Sequence, residues 1–373
     1  YLDNVNKTGI IFQNDSYEWE TKLRFNLTQF VNNLKWSVGF NVQNSSYKNG
    51  TSFLRENIFY ETDLNFFKYG LFLKAGNNFF NQRLNISLGI RTDADTFSTG
   101  SNLIDNFSPR LSFSYSLSQD QKWKFNASIG RYFKIPTYTM LGFQNNSSVF
   151  VNKSAQYTKS EHYVAGLEYN LTSVSRLTVE GFLKNYSQFP VSLIDGVSLA
   201  NKGGGFEVLG NEAILSLGEG KTSGLEFLFQ QKLAKNFYGI LAYTYFSSEF
   251  SGLDGILRPS VWDSRHLISF SGGYKLKRNW EISARWRYAG KNPYVPVDIT
   301  ASTISYPEII LDYDTLGEFR LDAFNLADIR IDKKWNFKNL SFNLYFEVQN
   351  FLAQPNPTPP EYGLNRNLDG TVI

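Results

Sequence analysis

The apolar positions of this chain alternate with polar ones. From Tyr17 the odd positions read Tyr17, Trp19, Thr21, Leu23, Phe25 and Leu27, while the even positions read Glu18, Glu20, Lys22, Arg24, Asn26 and Thr28. A period of two puts one set on each face of an extended strand. Beyond Asn32 and Asn33 the phase switches, so that Leu34, Trp36, Val38, Phe40 and Val42 become the apolar row. Apolar residues at i, i+2 and i+4 would spread around a helix, so a helical reading fails.

The pattern recurs to the end of the chain. Rows begin at Leu84, Leu111, Trp123, Tyr163, Leu177, Leu225, Gly239, Ile268, Trp280, Ala327 and Phe342, with a further strand near 69–75. Together they predict about 14 strands and no helix. Short turns are expected near 29–33, 78–83, 118–122, 170–175, 232–236, 276–279 and 335–340. Long connections are expected near 46–64, 96–105, 136–158, 188–219, 249–262 and 290–321. Short turns at one end and long loops at the other distinguish an outer-membrane barrel from a soluble sandwich. Trp36, Trp123, Trp280 and Trp335 each stand beside a short turn in the apolar phase, which suggests an interfacial girdle. The plainer alternative is that Trp favours strands.

Composition changes this picture in one respect. Aromatics make up 17% of the 373 residues, with 33 Phe and 22 Tyr, yet mean hydropathy is −0.32. No apolar run approaches the ~18 residues of a membrane helix. A chain polar on average but rich in aromatics fits a closed transmembrane β-barrel, with alternate residues facing lipid and lumen. No signal peptide opens the chain, and Tyr1 to Asn4 reads as the middle of something longer.

Chemistry is excluded more than it is suggested. With no Cys there is no disulfide framework, Cys metal site or Cys nucleophile. A net charge of +3 does not argue for nucleic acid. His266, in the segment WDSRH, lacks a nucleophile and an orienting partner. Asp93 and Asp95 alone are too few ligands for calcium. No catalytic residue, metal site or cofactor is expected. The polar rows mix signs, as in Glu18, Glu20, Lys22 and Arg24. Such a face suits a lumen holding a hydrogen-bonded plug, or any polar lumen.

A set of segments then carries a resemblance. ISLGIRTD (86–93), SPRLSFSY (108–115), IGRYFKIP (129–136), EGFLKNY (180–186), TSGLEF (222–227), WDSRH (262–266), NPYVPVD (292–298), DIRIDKKWNF (328–337) and LYFEVQN (344–350) occur in order. Over residues 65 to 370 they resemble the barrel of TonB-dependent receptors, particularly of the Bacteroidetes type. The resemblance implies an all-β barrel of about 22 strands filled by an N-terminal plug. It also implies coupling to a TonB complex through that plug, an outer-membrane location, and import of a scarce large ligand such as an iron chelate, cofactor, glycan or peptide. A SusD-like surface lipoprotein is a further partner it suggests. Against this pattern the chain reads as a single partial barrel domain over 1–373, without plug, TonB box or closing strand. It corresponds to strands eight to twenty-one, with both ends extracellular and both sheet edges open. A passive porin, or a secretion-associated component reusing such a barrel, is the alternative.

Loops on a rigid scaffold carry recognition. Tyr138, Phe143, Asn145 and Asn146 in one long loop, and Tyr294 and Tyr306 in another, are the candidate ligand contacts. Their aromatic and amide groups suit an amphipathic ligand, or else pack loop against loop.

Overall fold

In the computed structural model, residues 2–6, 9–53, 58–145, 147–202, 209–305 and 309–360 are described. One large antiparallel sheet holds most of the chain. It opens with β1 (Leu2–Asn6), β2 (Gly9–Val31), β3 (Leu34–Phe53), β4 (Ile58–Phe79), β5 (Leu84–Asp95), β6 (Ser108–Ser116) and β7 (Trp123–Lys134). It continues with β8 (Thr158–Thr172), β9 (Ser175–Ser192), β10 (Ile214–Ala234), β11 (Phe237–Ser251), β12 (Leu257–Pro259), β13 (His266–Leu276) and β14 (Trp280–Ala289), and ends with β17 (Phe324–Asn336) and β18 (Ser341–Val348). The strands β15 (Pro293–Tyr294) and β16 (Phe319–Arg320) pair apart from it. Of the sixteen strands in the large sheet, β1 and β12 are short, and the remaining fourteen neighbour one another in chain order. These fourteen are the rows expected from the alternation.

The register explains why alternation specifies the wall. Leu27, Val38, Leu73 and Ile90 stand side by side on four consecutive strands. Further along, Leu88, Leu111, Ile129 and Tyr163 form another row, and Ile282, Ile331 and Phe346 a third. All of these lie exposed on one face, each more than a third exposed, as are Leu23, Phe25 and Phe40. A soluble sheet could not leave such a face in water, whereas hydrocarbon accepts it. Slipping any strand by one residue would turn its whole apolar row inward. On the opposite face Asn41 and Arg91 are hydrogen-bonded, and Glu20 meets Lys68. Gly39 marks a close approach there, since a Cβ would meet the Phe25 carbonyl at 2.3 Å and the Phe72 ring at 2.6 Å.

The turns are short and left-handed at one end. Lys235 and Asn236 have positive φ, as a two-residue hairpin of right-twisted strands requires, and Arg278 and Asn279 have it within the three-residue turn between Leu276 and Trp280. At the other end the expected long loop over 46–64 is corrected. β3 and β4 run on through it, paired from Leu34–Asn77 to Phe53–Ile58. The 20 and 22 residues of these strands exceed the ~9–11 that cross a bilayer, so this hairpin projects beyond the membrane. The connection expected over 188–219 shrinks to 193–213 because β9 and β10 extend into it. Two short helices, α1 (Tyr138–Leu141) and α2 (Ile299–Ile304), lie in loops where none was expected.

Among the described residues the sheet is open. Residues 17–27 pair with β3 on one side only, and β18 pairs only with β17. No ladder joins β2 to β18.

Placing a charge on the outer face tests this orientation. Leu73→Arg should cost about 2–4 kcal/mol of folding stability in lipid vesicles, while Lys74→Ala, one residue on and inward, should change it by less than about 0.5 kcal/mol. Urea titrations giving equal effects would contradict the assignment of faces.

Candidate functional site

The inner face gains a roof at the long-loop end. Pro136 follows the end of β7, and the chain turns into α1 instead of extending further. This loop, residues 135–157, folds down onto the inner faces of β2 to β5. Tyr138 is buried there, its ring edge-on to Phe66 at 5.6 Å and tilted against Tyr47 at 6.2 Å. Its hydroxyl bonds to Glu20 and Lys68, which themselves pair at 2.7 Å. Tyr60 Oη and Thr62 Oγ1 both donate to the Gly142 carbonyl at 2.7 Å. At the loop's end Tyr157 Oη donates to Asp95 Oδ2 at 2.9 Å, and the same carboxylate accepts from the Phe97 and Ser98 amides. The largest apolar cluster among the described residues therefore lies between loop and wall: Tyr47, Leu64, Phe66, Tyr138, Met140, Leu141, Ala155, Leu199 and Ile214.

The loops are also tied to one another. Buried Asn152 donates to the Met140 and Glu212 carbonyls at 2.8 and 2.7 Å and accepts from the Ile214 amide at 2.9 Å. Within its own loop, Lys202 lies between Asp195 at 2.6 Å and Glu212 at 2.9 Å. Asp263, fully buried, accepts from Arg320 at 2.8 Å and Arg265 at 2.9 Å. Arg320 also donates to the Asp263 and Lys291 carbonyls. These buried charges are all paired, as desolvation demands. Burial and the neighbouring carboxylate Glu20 raise the Tyr138 hydroxyl above its usual range. Burial, then the charge of Asp95, does the same for Tyr157. Burial pushes Tyr60 up to about 12. All three phenols remain donors at neutral pH, so the roof stays latched across the physiological range.

The expected contact residues divide. Tyr138 is spent on holding its loop. Phe143 stacks on Tyr60 at 6.2 Å, and Asn145 Oδ1 accepts from the Ser147 and Val149 amides, shaping its own turn. Tyr294 packs against Phe319 at 6.0 Å in the separate β15–β16 pair. Asn146 and Tyr306 lie outside the described residues. No local pattern marks Asp95, Asn152, Asp263 and Arg320 as the residues that fix the roof, although Asp95 and Asp263 stand in the Asp93–Asp95 and WDSRH segments. His266 shares a hydrogen bond with Tyr243 Oη at 2.9 Å through Nδ1. At the short-turn end Trp123 stacks on Tyr169 at 4.3 Å, and Lys333 lies 5.3 and 5.4 Å from the rings of Trp280 and Trp335. Trp36 stands in the same outward phase, opposite Ala75.

Removing the buried Asp263 carboxylate leaves half-buried Arg320 without its ion-pair partner, Arg265 with only Glu249 at 3.9 Å, and the Ser248 amide without its acceptor. Asp263→Ala should therefore cost about 1–3 kcal/mol and open residues 290–321 to protease while the wall stays folded. Unchanged proteolysis would show that this carboxylate does not hold the loops.

A family described as TonB dependent receptor-like, beta-barrel, matches residues 1–351, a span that starts well before the segments quoted from the sequence. No curated protein matches the chain. Among solved structures, the ferripyoverdine receptor of the outer membrane of Pseudomonas aeruginosa, bound to ferripyoverdine, has a TM-score of 0.63 at 14% identity, over 92% of this chain and 46% of that one. The copper transporter OprC has a TM-score of 0.63 at 13% identity, over 92% and 54%. BauA, the ferric preacinetobactin receptor from Acinetobacter baumannii, has a TM-score of 0.59 at 13% identity, over 94% and 53%. The chain thus spans about half the length of these structures, and at such identities the likeness shows the fold. With the family match over most of its length, this chain belongs to the TonB-dependent receptor-like β-barrel family of the bacterial outer membrane.

Proposed function

We propose that this chain forms wall and loops of a receptor that imports a scarce, large ligand across the outer membrane, driven through TonB. The observation that carries this reading is the roof. Loops 135–157 and 193–213 are bonded to the wall and to each other over the inner face. A passive porin needs an open aqueous path, which a latched roof obstructs. The named ligands of the neighbours, ferripyoverdine, copper and ferric preacinetobactin, are metals or metal chelates. An iron chelate therefore leads the candidates, ahead of cofactors, glycans and peptides. The reading includes a plug that engages the TonB complex, kinship with the Bacteroidetes type and a SusD-like lipoprotein over the loops. It also assigns Trp36, Trp123, Trp280 and Trp335 to an interfacial girdle. No bond chemistry is assigned to the chain.

Phe143, Asn145 and Asn146 remain the proposed ligand contacts of the first loop, with Tyr138 positioning them, and Tyr294 and Tyr306 those of the second. Deleting residues 139–150 from the full receptor should abolish uptake and leave a folded barrel. Wild-type uptake by the deletion variant would remove this loop from the binding site. Ligand accumulation that persists without TonB would support the porin instead.

A further inference from the structure

Beneath the roof the inner wall holds a pocket of about 340 Å³ between β2, β3, β4, β5 and the end of β7. Five cations line it: Lys22, Arg24, Lys68, Arg91 and Lys134. Two of them are neutralised. Lys68 pairs with Glu20 at 2.7 Å, and Arg91 pairs with Asp93 through both Nε at 2.6 Å and Nη2 at 2.5 Å. The other three, Lys22, Arg24 and Lys134, have no carboxylate partner within ion-pair distance among the described residues. Arg24 lies over the Phe72 ring at 5.5 Å, which orients the guanidinium without cancelling its charge. Asn41 already accepts from Arg91 at 3.0 Å. Gln43 is buried, and its Nε2 has no partner. The patch thus holds surplus cations and an unused amide donor, and its carboxylates are already engaged.

Several cations elsewhere on the inner wall are ion-paired. Lys124 and Arg176 share Glu168, Arg330 pairs with Asp332 and Glu347, and Arg285 lies near Asp328. Single inward cations such as Arg110, Lys184 and Arg287 also stand outside any ion pair among the described residues, but here three such cations line one concave pocket together with a buried, unbonded amide. Like charges held together repel, and a counter-charge relieves them. Cations on neighbouring strands also match the several oxygens of a carboxylate- or phosphate-rich group, with Arg24 able to bind two at once.

We propose that Lys22, Arg24 and Lys134 form an anion-binding subsite, taking a multiply charged carboxylate or phosphate portion of the imported ligand as it passes the roof. The assignment rests on the import reading for the ligand's identity as cargo. The binding of an anion does not depend on that reading. Because the roof anchors on Glu20 and Lys68 at the pocket's edge, an anion at Lys22 sits within reach of the latch that holds Tyr138.

The experiment is calorimetric titration of the full-length receptor, in non-ionic detergent, with citrate and separately with inorganic pyrophosphate. At least one should bind, and which one binds distinguishes carboxylate from phosphate chemistry. The double variant Lys22→Gln/Arg24→Gln should weaken binding at least about tenfold, and added salt should weaken the wild type as well. The charge-preserving Lys22→Arg/Arg24→Lys variant should bind within about threefold of wild type, which separates lost charge from misfolding. Lys184→Gln, on the same face outside the pocket, should bind as wild type. Equal binding by the double Gln variant would mean an adventitious ion only and would overturn the proposal. No binding of either anion by the wild type would overturn it too, and would point to an acidic side chain of the receptor itself in the pocket. A parallel uptake assay with and without TonB judges the import reading independently: TonB-independent uptake with intact anion binding would sink that reading and leave the subsite standing.

Discussion

Hydrocarbon offers no hydrogen bonds, so every backbone N–H and C=O that crosses a bilayer in strands must find its partner in the next strand. That constraint organises the rest of the structure. It demands continuous ladders, and here they run strand by strand from β2 to β18. Continuous pairing fixes the register, and the register sorts the side chains into a lipid row and a lumen row. The exposed rows through Leu73 and Ile331, unreasonable in water, are the direct result. Among the described residues, 17–27 of β2 and the strand β18 are each paired on one side.

A wall one sheet thick has no interior of its own. The buried apolar cluster accordingly sits where loops meet the inner face, around Tyr138, Leu141 and Leu64. Packing and paired charges act together there. Asp263 is affordable as a buried charge because it meets Arg320 from another segment, and half-buried Lys202 is held between two carboxylates of its own loop. The roof thereby becomes a fixed part of the barrel mouth, and the surface presented to a ligand is set by strands and loops jointly.

Much of the wall was legible in the sequence because lipid on one side and water on the other maximise contrast along the strand. Where that contrast ends, legibility ends. Beyond Val42 the run Gln43, Asn44, Ser45, Ser46 is polar on both faces, since the strand has left the bilayer. It reads as loop, yet β3 continues through it. Helices of four and six residues are too short to show a period. The roof was illegible for a different reason: Tyr138 meets Glu20 across 118 positions, and Asp263 meets Arg320 across 57. No local pattern encodes such pairings. Lys22 and Arg24 were visible as lumen residues, but their lack of partners emerges only when the neighbouring strands are in place.

The central claim is that alternate residues of these strands face lipid and lumen. The chain contains no Cys, so single cysteines can carry a fluorophore at successive positions of β4 and β14 in the full receptor. In vesicles whose acyl chains carry a nitroxide quencher, quenching should alternate residue by residue. It should be strong at 71, 73, 282 and 284 and weak at 72, 74, 283 and 285. Uniform quenching along either strand, or the opposite alternation, would contradict the barrel assignment and everything placed on its inner face.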